Sequence, residues 1–253
     1  MNAVPAFIWV VEIAAITGGV AAVCAALYAG ARATGRDEAG AARLVALAGL
    51  LLVGWMVVAA GLASVDVFRQ YPDEAVPWIG VAIVGSFAFW LLAARLPAVS
   101  AALADPAAPA RLAGVQTFRV VGGVFLLLMA LGFLPAAFAL PAGLGDMAIG
   151  LAAPFVAVRL ARHPDRVRGA IWFNLLGLFD LVVAVGIGFL AATEPLRVLD
   201  LSPSTTALAL LPLVLVPTVA VPLAAALHVV SLRRLTRPAA VRQAAGGPVA
   251  VHP

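Results

Sequence analysis

The sequence contains no lysine, which excludes any chemistry that needs a lysine amine, including a retinal Schiff base. Its single cysteine, Cys24, excludes a disulfide within the chain and a cysteine-based metal cluster. Two of the three histidines, His163 and His252, lie outside the apolar stretches, and His228 lies near the edge of one. A bis-histidine haem inside a bilayer is therefore excluded. We expect neither a cofactor nor a bound metal.

Charged residues are also scarce. They make up 11% of the chain, against 64% hydrophobic residues, whereas an ordinary soluble domain has about 25% charged residues. Seven apolar stretches are each long enough to supply the roughly 20 residues that a transmembrane helix needs. They run over about residues 5–29, 42–63, 77–97, 114–138, 142–160, 170–192 and 205–231. The gaps between them are too short for a further domain, so the sequence predicts an all-α integral membrane protein with a seven-helix bundle over residues 1–235.

The arginines are distributed unevenly between the gaps. Thirteen of the sixteen lie in alternate gaps or in the tail, which is the pattern of cytoplasmic loops in membrane proteins. The pattern predicts an N-terminus outside, cytoplasmic loops near residues 30–41, 98–113 and 161–169, and a cytoplasmic C-terminus. Residues 236–253 are rich in alanine, glycine and proline without periodicity, so we expect a disordered basic tail there.

The same composition indicates a location and a default partner. Arginine without lysine, beside abundant alanine, is typical of a GC-rich bacterial genome, so the expected location is a bacterial inner (plasma) membrane. The arginines then face anionic lipid, and no nucleic acid is needed as a partner. The sequence leaves open whether the chain forms a homo-oligomer or joins a second membrane protein.

Four ionisable residues lie well inside the predicted spans, where a charge is costly and normally faces the bundle interior. They are Glu12 in the first span, Arg119 in the fourth, Asp146 in the fifth and Asp180 in the sixth. Three further polar residues accompany them as supporting groups: Gln116, Asn174 and His228.

A helical rise of about 1.5 Å per residue places Arg119 within reach of Asp180 but too far from Asp146. The helical repeat also puts small residues on the same faces as these charges, which is typical of close helix packing in membranes. The faces consist of Gln116, Arg119 and Gly123 on the fourth span and Gly177, Asp180 and Ala184 on the sixth. The pattern therefore predicts a structural Arg119–Asp180 ion pair that fixes helix register.

Glu12 and Asp146 form a second set, at similar depth in the outer half of the bundle. Two such carboxylates do not both ionise without a cation between them, so one holds a proton or the pair holds a cation. The alternative is that they lie on opposite sides of the bundle, bonded separately or to Arg69. Asp146 is the stronger candidate, because three glycines around it leave space for a ligand: Gly143, Gly145 and Gly150.

The seventh span carries Pro212, Pro217 and Pro222. Each proline removes a backbone donor, so we expect this helix to be kinked or partly unwound. Broken helices in membranes often line binding sites, although a static kink is also common. Together with the acids, this helix predicts a polar cavity that is open to the outside, lined by Asp146 and bordered by Glu12 and Asp180.

Three functions fit these features, and none is named by a motif. The favoured hypothesis is a small transporter or permease coupled to protons or another cation, in which Asp146, Glu12 and Asp180 bind a proton or a cationic solute. The second is an accessory or sensory membrane protein whose buried charges are structural. The third is a lipid-modifying enzyme. It is the least favoured, because the sequence shows no nucleophile and no catalytic motif, so we assign no catalytic residue.

Overall fold

The computed structural model describes residues 4–71, 76–192 and 197–236, and within these ranges the chain forms helices and no strand. The α-helices are α1 Ala6–Ala33, α2 Glu38–Ser64, α3 Trp78–Ala93, α4 Pro97–Ala102, α5 Ala108–Val115, α6 Val124–Ala130, α7 Ala136–Arg162, α8 Arg168–Leu190 and α9 Val221–Leu235. A 3₁₀ segment, Gln116–Gly123, joins α5 to α6, and a π-helix, Val216–Ala220, leads into α9. The predicted disordered tail, apart from its first residue Thr236, lies outside the described residues.

Six helical stretches are long and apolar enough to cross a membrane. They are Ala6–Ala33, Glu38–Ser64, Ala108–Ala130, Ala136–Arg162, Arg168–Leu190 and Val216–Leu235. Their exposed side chains are often large and apolar, as contact with lipid requires; Leu50 is 69% exposed and Phe155 76%. The chain is therefore a multi-pass membrane protein.

The predicted third span is shorter than expected. It was predicted over residues 77–97, but α3 has only 16 residues, about 24 Å of helix against a hydrocarbon core of about 30 Å. Pro97 explains the early end, because proline disfavours helical backbone at the residue before it. Leu96 accordingly has non-helical backbone, with a ψ of 137°, and a new short helix begins at Pro97.

A tight turn joins the fourth and fifth spans, and it comes earlier in the chain than the predicted span bounds placed it. The turn covers residues 131–135, where Gly132 has a φ of +77° and Pro135 precedes α7. Positive φ is readily adopted by glycine, and a proline at the start of a helix loses no hydrogen bond. The two spans were predicted over 114–138 and 142–160, whereas the observed stretches begin six residues earlier, at Ala108 and Ala136.

The helix ends meet at two faces of the bundle. At the first face, which we call the basic face, Arg234 donates to the carbonyl of Ser100, and Ala110, Leu160, Ala170 and Leu235 form one apolar cluster. The basic face also carries the α1–α2 turn, because α1 packs against α4. At the opposite face, the start of α1 packs on the 131–135 turn and the first turn of α7, with Ile8, Leu134 and Phe138 in a single cluster.

The last span is broken, as its three prolines predicted. A short 3₁₀ turn over Thr206–Ala209 is followed by irregular backbone, the π-helix and only then α9. The π-helix contains Pro217, and its Thr218 carbonyl accepts hydrogen bonds from Trp55 Nε1 of α2 at 2.9 Å and from Ser86 Oγ of α3 at 3.3 Å. Side chains of two other helices therefore stabilise the irregular backbone, as irregular backbone at membrane depth requires.

Candidate functional site

Arg119 is the centre of a buried polar cluster. It lies on the 3₁₀ segment and is 3% exposed. Its Nε donates to Asp146 Oδ1 of α7 at 2.6 Å, and its Nη2 donates to Asp180 Oδ2 of α8. The aspartate side chains are 15% and 13% exposed, so both ion pairs are nearly withdrawn from solvent. One guanidinium thus joins three helical stretches.

The contact with Asp146 corrects the sequence interpretation, which placed Asp146 beyond the reach of Arg119. That interpretation started the fourth span at residue 114 and the fifth at residue 142. Because both stretches begin six residues earlier, Arg119 and Asp146 each lie about 15–20 Å from the start of their own stretch and meet near mid-depth. The two aspartates share the arginine.

The 3₁₀ winding around Arg119 also changes which glycine faces the acids. Side chains three residues apart eclipse one another in a 3₁₀ helix. Gly122 therefore lies on the same face of the segment as Arg119. The sequence had placed Gly123 on that face. A Cβ at Gly122 would overlap the Asp146 side chain, whereas one at Gly123 would meet Met147. The missing side chain at Gly122 is what allows the Asp146 carboxylate to lie against this segment.

The cluster extends from Arg119 to His228, which is fully buried on α9. Arg119 Nη1 lies 3.2 Å from His228 Nε2 and also donates to the Gly177 carbonyl at 3.3 Å. Because a guanidinium only donates, Nε2 must accept, and the ring proton lies on Nδ1. Nδ1 then donates to Asn174 Oδ1 at 2.9 Å. The histidine is thus a neutral link between Arg119 and Asn174.

Two of the predicted supporting residues take part in backbone contacts. Asn174 Nδ2 donates to the Ala170 carbonyl at 2.7 Å, and Gln116 Nε2 donates to the Ala224 carbonyl of α9 at 3.1 Å. His228 was expected near the end of its span, but α9 continues to Leu235 and leaves it about 10 Å from that end. All three supporting residues are buried within the bundle.

Glu12 lies beside this cluster without joining it. The residue is 3% exposed on α1, and its Oε1 has no hydrogen-bond partner in the described part of the chain. It lines a small cavity of about 40 Å³ together with Arg119 and Asp146. That space is large enough for about one water molecule, whose share of liquid volume is about 30 Å³. Glu12 and Asp146 therefore face a common cavity, rather than lying on opposite sides of the bundle.

A larger cavity of about 310 Å³ reaches Asp146 from the opposite face. Arg69, which is partly exposed, lies at its mouth, and Gln70, Thr205 and, from the π-helix, Val216 and Pro217 form part of its walls. The sequence predicted a polar cavity, and this was wrong. The walls are mainly aromatic and aliphatic, and include Phe68, Ile83, Phe125, Phe138, Leu181 and Phe189.

The predicted borders of this cavity are also only partly correct. Asp146 lines both cavities, Glu12 lines only the small one and Asp180 lines neither, because Asp180 lies on another side of the guanidinium. The sequence carried no signal for the aromatic walls, since phenylalanine is common throughout membrane spans. Arg69, which was considered as a partner of the buried acids, instead forms an ion pair of 3.7 Å with Asp66.

The charges of the cluster do not balance. Asp146 and Asp180 pair with a single guanidinium, Glu12 shares a cavity with both Arg119 and Asp146, and His228 is neutral. With every carboxylate ionised, this part of the bundle carries two uncompensated negative charges, at a cost of several kcal/mol in a membrane. In the described ranges, no group of three or more His, Cys, Asp or Glu side chains is arranged to hold a metal ion. Protons or a bound cation would neutralise the site.

Comparison with known sequences gives one result. A family described as Domain of unknown function (DUF8737) matches residues 76–236, which include Arg119, Asp146, Asp180 and His228 but not Glu12. No curated protein matches the chain. No solved structure matches it either.

Proposed function

The chain belongs to the DUF8737 family, and because the description of that family names no activity, we propose from the site alone that the protein is a small transporter coupled to protons or another cation. The observation that carries the proposal is the position of Asp146. Its carboxylate bonds to Arg119 inside the bundle and at the same time lines a cavity that opens at the opposite face. An intramembrane acid of this kind is typical of a proton or substrate pathway.

The broken last span supports alternating access. The π-helix forms part of the cavity wall, and the backbone that leads into it from Thr206–Ala209 is irregular. In transporters, discontinuous helices commonly line the binding site and allow one part of the bundle to move against another. The long 3₁₀ segment that carries Arg119 is a second place where the winding is able to change, since such stretches within helices often mark hinges.

We further propose a topology of seven spans with the N-terminus outside. In this arrangement α3 is the additional span, tilted little and completed by apolar flanking residues. The basic face lies in the cytoplasm, because the described arginines of the loops and helix ends concentrate there. The expected setting is a bacterial inner membrane, and the cavity then opens to the outside.

A second candidate function is an accessory or sensory membrane protein without transport. One observation favours it: every hydrogen bond of Arg119 described above ends on a protein atom, with Asp146, Asp180, His228 and the Gly177 carbonyl as partners. An arginine used in this way is a structural centre that holds α7, α8 and α9 in register, and it would need no solute.

Reconstitution into liposomes separates the two functions. Liposomes with an acidic interior and an entrapped pH-sensitive dye are diluted into neutral buffer, and organic cations are added outside one at a time. We expect at least one cation to speed proton efflux from liposomes that contain the protein, and Asp146→Asn to abolish the effect. Asp165→Asn, at an exposed carboxylate of the α7–α8 loop, is the matched control. If no cation in the series changes the efflux, the accessory function stands instead.

A further inference from the structure

We infer that the 310 Å³ cavity binds an amphipathic organic cation, with its apolar body between the aromatic walls and its positively charged head at Asp146, in exchange for a proton. The inference deepens the proposed function by naming a ligand class. Only the transport of that ligand rests on the proposed function. Binding itself is a separate property, since a sensory protein would also bind such a ligand.

The walls of the cavity define the body of the ligand. A sugar, an amino acid or a hydrated ion would lose its hydration there without gaining hydrogen bonds in return. Four phenylalanines line the space, and the rings of Phe125 and Phe138 pack edge to face at 5.4 Å. Aromatic rings attract both apolar surface and cationic groups, most strongly where water is excluded. The volume is near the lower end of the range for small-molecule sites, roughly 300–1,000 Å³.

The charges at the inner end define the head of the ligand. The groups that face Asp146 are Glu12 from α1, Arg119 from the 3₁₀ segment, Asp180 from α8 and, through the arginine, His228 from α9. Their sum is negative, because one positive charge meets three carboxylates and a neutral ring. Among the residues that line the large cavity, Arg69 carries a positive charge, and it is paired with Asp66.

Glu12 supplies an independent indication that the site is incomplete. A buried carboxylate oxygen without a hydrogen bond is costly, and its cavity has space for about one water molecule. Glu12 shares that cavity with Asp146, so a proton that leaves one carboxyl can be taken up by the other through a single water. The cation and the proton then compete for the same negative charge.

The exchange has a simple balance. In the resting site a carboxyl of the cluster holds a proton. When the organic cation binds, the O–H bond breaks and the proton passes to bulk water through the cavity, while the positive head of the cation takes its place beside the carboxylate. The charge of the site is the same before and after. Binding must therefore release protons and must weaken as the buffer is acidified.

The test uses two probes of almost identical shape. Benzyltrimethylammonium carries a permanent positive charge at every pH, and neopentylbenzene is its uncharged carbon analogue. Binding of both to the full chain in an uncharged detergent is measured by titration calorimetry, and proton release is followed with an indicator dye in weak buffer. We expect the cation to bind at least about tenfold more tightly than the neutral probe, with a proton released for each cation bound.

Single substitutions test whether Asp146 and the wall of the cavity form the binding site. Asp146→Asn should weaken binding of the cation about tenfold or more and abolish proton release, whereas Asp165→Asn should change neither. Ala184→Phe, which fills the cavity from the α8 wall, should weaken binding of both probes.

Equal affinity for the two probes without proton release overturns the inference, and this comparison needs no variant. Binding without flux in liposomes would refute transport and leave the inference standing. Proton flux driven by some other solute, without binding of the cation, would support transport and overturn the inference.

Discussion

Arg119 and Asp146 are 27 residues apart in the chain, and their side chains meet at 2.6 Å between two helical stretches. The bond connects the arginine that holds the helices together with the carboxylate that lines the large cavity. Arg119 has no place in the large cavity, but Asp146 lines it. Whatever neutralises Asp146 from the cavity therefore acts directly on the arginine that holds three helical stretches together.

The first prediction concerns the cost of removing this arginine. Arg119→Met leaves Asp146 and Asp180 buried without a cation, so we expect a loss of about 3–5 kcal/mol of stability or a failure to fold. Adding Asp146→Asn and Asp180→Asn to the same chain should recover most of the loss, because no uncompensated charge then remains. Thermal unfolding in detergent measures both.

Arg159→Met serves as the control, because Arg159 is exposed near the end of α7 and its loss should have little effect. A triple variant that is no more stable than Arg119→Met alone would show that the cluster is not held together by its charge balance.

The second prediction concerns the close contact that brings the 3₁₀ segment to α7. A Cβ at Gly150 would overlap the backbone of Val120, next to Arg119, and backbone has no rotamer with which to move aside. Gly150→Ala should therefore destabilise the protein by about 1–3 kcal/mol. Gly54→Ala, at a helical glycine with open space around it, should be neutral or stabilising by up to about 1 kcal/mol. Equal unfolding temperatures for the two variants would contradict the packing described here.

The third prediction concerns the histidine tautomer. Because Arg119 donates to Nε2, His228 should carry its proton on Nδ1. Nitrogen NMR of histidine-labelled protein distinguishes the two tautomers, and His228→Gln assigns the signal among the three histidines of the chain. A signal from the Nε2–H tautomer would mean that the contact with Arg119 is absent in solution.

The fourth prediction concerns topology. With Cys24 replaced by serine, the chain has no cysteine, and single cysteines are then placed at Thr34 on the basic face and at Ser64 at the other end of α2. In intact bacterial cells, a membrane-impermeant maleimide should label Ser64→Cys at once and Thr34→Cys only after permeabilisation. The opposite labelling pattern would place the basic face outside and reverse the proposed direction of the cavity.

The sequence predicted the class of the fold because the length of each apolar stretch and the positions of the arginines can be read from one segment at a time. Each long helix except the shortened α3 could be located without knowledge of its neighbours. The break in the last span was predictable for the same reason, since proline acts on its own backbone.

The site was predicted only in part. Glu12, Arg119, Asp146 and Asp180 stand out because charge is rare in spans, but their contacts depend on where each stretch begins and how it is wound. An error of six residues in the start of α7 moved Asp146 by about 9 Å along its helix, which separated it from Arg119 in the sequence interpretation. The 3₁₀ winding at Gln116–Gly123 had no sequence signal of its own, and neither did the apolar walls of the cavity.

The central claim is that one guanidinium pairs with only two of three neighbouring buried carboxylates, so that the site takes up positive charge from outside. Infrared spectroscopy of the carboxyl C=O stretch tests it most directly, because protonated and ionised carboxyls absorb at different frequencies. In ligand-free protein at neutral pH we expect a protonated carboxyl band, which Glu12→Gln removes and Asp165→Asn leaves unchanged, since Glu12 Oε1 accepts no hydrogen bond from Arg119. A spectrum without any protonated carboxyl at neutral pH would contradict the account.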